Sequence, residues 1–175
     1  TMTADTIVTA NFTQNEYSLT VAMVGNGSVS RDPFGPYHYG DVVDLTAIPA
    51  TGWSFANWSG DLSGSGNPTS ITMDGNKSVT ANFTQNAYAL TVVSAHGAVS
   101  KAPDQPTYNH GTNVLLTMGA VDAGWTFTGW SGGGCSGTGP CTVTVNADTT
   151  VTANFTQNAY VLTVVSAHGP VTKVP

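Results

Sequence analysis

The octapeptide Val-Thr-Ala-Asn-Phe-Thr-Gln-Asn occurs three times, at residues 8–15, 79–86 and 151–158, with offsets of 71 and 72 residues. Other landmarks keep that register. Leu-Thr-Val follows Tyr17 and Tyr88 at the same distance, and Gly-Trp-Ser-Phe-Ala-Asn-Trp-Ser-Gly from Gly52 is answered by Gly-Trp-Thr-Phe-Thr-Gly-Trp-Ser-Gly from Gly124. A period this long exceeds the roughly 20 to 50 residues of solenoid repeats, whose units share one continuous core. Each unit is therefore expected to own its core, and the chain to be a window on a tandem array. The expected divisions are residues 1–15 (the end of a preceding repeat), 16–86 and 87–158 (complete repeats), and 159–175 (the opening hairpin of a following one). Only Thr84-Gln85-Asn86 separates one unit's last apolar residue from the next unit's first strand, too short for free swivelling, so a stiff rod is expected.

Within a unit the apolar pattern alternates with period two and shows no helical period. Tyr17, Leu19, Val21 and Met23 share one face of a strand. Gly25-Asn26-Gly27 reads as a hairpin turn into Ser28-Val29-Ser30, because a two-residue turn needs positive φ. Further strands are expected over residues 42–48, 53–58, 70–73 and 77–83, the last two joined by a turn at Asp74-Gly75-Asn76. The expectation is all-β, with tandem small antiparallel modules that are β-grasp-like or sandwich-like.

Composition narrows the function classes. Charged residues make up 8% of the chain, against a usual share of about 25%. Threonine is the commonest residue, and the formal net charge is -6. With four Lys and Arg in all, no cationic surface for phosphate is available, which argues against nucleic acid. No apolar run approaches a membrane span and the first residues lack a signal-peptide pattern, so any export signal is expected outside this window.

These residues carry a resemblance. The series Y-x-L-T-V, an N-G or H-G turn, G-W-x-F-x-x-W-S-G, and a closing V-T-A-x-F is similar to the divergent InlB B-repeat family of bacterial surface proteins. The resemblance covers nearly the whole chain, most specifically between W-S-G and V-T-A-N-F. It implies a non-enzymatic module of long secreted or wall-associated proteins, serving as stalk, spacer or adhesive element, and it brings no catalytic residues and no cofactor. Partners would be neighbouring repeats or other copies, in a filament if the end strand at residues 7–12 docks on another molecule, or a cell-surface ligand.

Chemistry-bearing residues are few. Cys135 and Cys141 share one loop and are the only cysteines, so a disulfide is expected rather than a metal site, pointing to an oxidising compartment. His96 and His168 occupy turn positions where the first unit has Asn26, and Asp32, Asp41, Asp44, Asp61 and Asp74 lack the spacing of a calcium loop. Neither catalysis nor a metal is expected. Trp53, Phe55, Trp125 and Phe127 are expected to be core aromatics. Trp58 and Trp130 fall out of the strand alternation and supply the alternative reading, a carbohydrate-binding module that stacks sugars on those rings.

Overall fold

The computed structural model describes residues 3–169; it contains no helix there, and it divides into two compact units between Asn86 and Ala87. The first unit comprises β1 (Leu19–Val24), β2 (Gly27–Asp32), β3 (Val42–Pro49), β4 (Trp53–Gly60), β5 (Thr69–Thr72) and β6 (Lys77–Gln85). They form two three-stranded sheets, ordered β1-β6-β4 and β2-β3-β5. The second unit repeats this plan. Its strands are β7 (Ala87–Tyr88), β8 (Leu90–Ser94), β9 (Gly97–Ala102), β10 (Tyr108–Asn109), β11 (Thr112–Val121), β12 (Trp125–Ser131), β13 (Cys141–Val145) and β14 (Thr149–Gln157). Its sheets are β8-β14-β12 and β9-β11-β13, with β7 and β10 as a short extra pair.

Each unit is a sandwich whose core lies between the two sheets. In the first unit, Leu19 from β1 and Val79, Ala81 and Phe83 from β6 meet Val43, Leu45 and Ala47 from β3, with Ile71 and Met73 from the β5 region. Alternation along β6 fixes which side faces in, since Val79, Ala81 and Phe83 are buried while Ser78 and Thr84 point to water.

Two local expectations are corrected. The modules are not wholly antiparallel, because β1 runs parallel to β6 in the register Leu19↔Lys77 to Val24↔Asn82, and β8 runs parallel to β14. Nor does Gly25-Asn26-Gly27 close a hairpin, since β1 and β2 belong to different sheets. A type I′ hairpin needs positive φ at both turn residues, and no described non-glycine residue has it. The glycines serve packing instead. A Cβ on Gly27 would lie 2.6 Å from the Phe83 ring, and one on Gly25 would meet the Phe83 carbonyl and the Trp53 indole. Asp74-Gly75-Asn76 likewise passes the chain from one sheet to the other, with open space around Gly75.

The end segments carry no strand among the described residues: residues 3–16 and 158–169 have exposed apolar side chains at Ile7, Val8, Phe12 and Tyr160. The expected hairpin at 159–175 lies partly outside the described residues.

The tryptophans of the alternative reading are core residues. Trp58 and Trp130 are 2% and 4% exposed, so neither ring offers a face for sugar stacking. A β-bulge between Phe55 and Asn57 inserts Ala56 as an extra residue, and the alternation that pointed Phe55 inward resumes with Trp58 inward, opposite Ala81. The bulge recurs between Phe127 and Gly129. Trp53, Phe55 and Phe127 are half-buried and pack against the cores from their margins. Trp125 is also half-buried, and its ring stacks on His96, with centroids 3.5 Å apart and an interplanar angle of 8°.

Trp130→Ala should therefore unfold the second unit, since truncating a buried large aromatic costs about 3 to 5 kcal/mol, whereas Trp125→Ala should leave it folded. Thermal melts of the two variants followed by far-UV circular dichroism check the ranking.

Candidate functional site

The loop between β4 and β5, with its counterpart between β12 and β13, is the place where sequence and structure concentrate their special chemistry. It begins at the buried tryptophan and folds back over it. In the first unit the Trp58 backbone N–H donates to the Gly64 carbonyl at 2.8 Å and its indole Nε1–H to the Gly66 carbonyl at 2.9 Å. In the second, Trp130 donates to Gly137 at 2.9 Å and to Gly139 at 2.8 Å. A buried indole N–H needs an acceptor, and a glycine-rich loop brings carbonyls close enough to supply one.

The two units fasten this loop differently. In the first, the Asn67 amide receives the Ala47 N–H and donates to the Ala47 carbonyl, both at 2.8 Å, so a side chain continues the β3–β5 ladder beyond the Leu45↔Thr69 pair. In the second, Cys135 and Cys141 form a disulfide with Cα atoms 5.8 Å apart. Cys135 is buried in the core cluster beside Trp130, and Cys141 packs against it from the edge.

The remaining candidates are dispersed. Asp41 accepts the His38 N–H and Asp61 the Ser78 N–H, each at 2.7 Å. Asp74 pairs with Lys77, whose hydrogen bond holds the carboxyl below its usual range, while the same bond raises the lysine. Asp74 is exposed and Lys77 half-buried at the surface, so the pair contributes little to stability. Lys101 is likewise raised by its hydrogen bond to Asp104. Among the described residues, no group of three or more His, Cys, Asp or Glu is placed to hold a metal ion. Sequence reasoning missed two features: the Asn67 clamp, whose only signal was an Asn before Pro68, and the position of His96 between Trp125 and Asp122, with Nδ1 3.6 Å from the Asp122 carboxylate.

These fastenings give a paired test. Reduction, or replacement of both cysteines by serine, should lower the stability of the second unit by about 2 kcal/mol, as expected for closing so short a loop, and leave the first unit unchanged. Asn67→Ala should do the reverse, at a cost of about 1 to 3 kcal/mol for the two backbone groups left without partners. Residue-resolved hydrogen exchange separates the units.

The octapeptide, the Gly-Trp motif and the two-sheet sandwich recur together. No curated protein and no solved structure matches the chain. A family model does match it twice, at residues 17–87 and 88–159, the same two stretches that fold as repeated sandwiches. The chain thus belongs to the divergent InlB B-repeat domain family.

Proposed function

We propose that this chain is a tension-bearing segment of a bacterial surface protein, a non-enzymatic stalk or spacer exposed outside the cell. The observation that carries the reading is the parallel pairing of the first long strand and the last strand of each unit, β1 with β6 and β8 with β14. In a parallel pair that forms the two ends of a unit, the chain enters at one end of the ladder and leaves at the other. Tension along the polypeptide then shears all the ladder's hydrogen bonds together instead of opening them one at a time. Membership in a family of bacterial surface repeats supports the location, as does a disulfide, which persists in oxidising compartments. With one residue, Asn86, between β6 and β7, little slack chain lies between successive units.

Single-molecule stretching of the chain by its two ends tests the reading. Two discrete high-force events are expected, each releasing about 3.6 Å per residue of one unit. The event from the second unit is shortened under oxidising conditions by the residues enclosed between Cys135 and Cys141. Extension without force peaks would contradict a mechanical role.

A further inference from the structure

In a chain with so few charges, Glu16 and Arg31 line one open groove of about 590 Å³ on the first unit, together with Ser18, Phe34 and Asn76. We infer that this groove binds a neutral hexose unit of a polysaccharide, stacked on Phe34. The inference goes beyond the mechanical reading and does not depend on it.

Phe34 is the first reason. Its ring is 73% exposed, and the Arg31 guanidinium lies 5.6 Å from its centroid. An aromatic side chain left this far in water contributes little to the core. With the cation holding the ring, the rest of its surface is presented to solvent as a flat apolar plate, the surface that the C–H face of a pyranose covers.

The polar groups around the plate supply the second reason. Asn76 Oδ1 accepts both the Ser18 N–H, at 2.9 Å, and the Ser18 hydroxyl, at 3.1 Å, which leaves the Asn76 amide N–H₂ as a donor. Arg31 uses one Nη1–H on the Leu19 carbonyl at 3.0 Å and keeps other donors in its fork. Glu16 and the Ser18 oxygen are acceptors. A sugar hydroxyl both donates and accepts, so a ring plate flanked by both kinds of group matches a neutral polyol. An anion would meet Glu16 and a chain of net charge -6. An extended peptide adding to the free edge of β1 would need the Leu19 carbonyl that Arg31 occupies.

The second unit is an internal control with the same fold and different groove chemistry. Where the first unit has Glu16 and Ser18 it has Ala87 and Ala89, and Asp148 accepts the Ala89 N–H at 2.8 Å in place of Asn76. Asp104 stands for Phe34 and pairs with Lys101, the counterpart of Arg31, at 2.9 Å. The plate is missing and the cation is engaged.

The test is a ¹H–¹⁵N chemical-shift titration of the whole chain with cellotetraose, mannotetraose and maltotetraose. At least one should shift Ser18, Arg31, Phe34 and Asn76 with a Kd on the order of millimolar, and leave Ala89, Lys101 and Asp148 unmoved. Phe34→Ala should weaken that binding by tenfold or more with unchanged thermal melting, and Asn76→Ala should weaken it by several-fold. The inference is overturned if no tetrasaccharide shifts these residues. Equal shifts in both units, shifts by sodium phosphate or an extended threonine-rich peptide in place of the sugars, or unimpaired binding by both variants would overturn it equally.

Discussion

Each unit closes through a parallel ladder between its first long strand and its last strand, and the rest of the sandwich follows from it. β6 is the central strand of its sheet, with β1 parallel on one side and β4 antiparallel on the other, and its inward residues Val79, Ala81 and Phe83 form the middle of the core. Until β6 arrives, β1 and β4 have no central strand to join them into one sheet. Folding of a unit must therefore bring together residues as distant as Leu19 and Lys77, the non-local closure that makes such topologies slow to fold. The same closure places the unit's two ends at opposite ends of one ladder.

Divergence between the units shows which features the fold requires. The buried tryptophan with its indole bonded to a loop carbonyl is kept. So is the buried tyrosine, Tyr37 or Tyr108, whose hydroxyl donates at 3.0 Å to the carbonyl of Pro33 or Pro103. Both place a large ring in the core and satisfy its one polar atom there. The means of holding the tryptophan loop is exchangeable, an Asn67 side chain in one unit and a disulfide in the other, because either restrains the same return of the chain. The outer rim has diverged too, as the contrast between Phe34 and Asp104 illustrates.

The repeat, the all-β class and the Cys135–Cys141 bridge were legible because each rests on local or self-comparative signals: a recurring octapeptide, period-two alternation and two cysteines in one short loop. Strand partners were not. Gly25-Asn26-Gly27 carries the residues of a hairpin, yet its glycines make room for Phe83 and Trp53, which a sequence read alone does not place there. The sugar-stacking alternative rested on an alternation that a single extra residue breaks. The bulge at Ala56 shifts alternation by one, so Trp58 points inward where unbroken alternation would point it out. The stacking of His96 on Trp125 joins residues in separate elements, and turn propensity alone accounts only for the presence of His96.

The pairing of first and last strands is the claim on which the fold and the mechanical reading both rest, and nuclear Overhauser contacts measure it directly. Backbone contacts should run in parallel between β1 and β6, with Val21 beside Val79 and Met23 beside Ala81, and should be matched by Val92 beside Val151 in the second unit. Contacts fanning out from Gly25 between Val24 and Gly27 and between Ala22 and Val29, as in a hairpin of β1 with β2, would contradict the account.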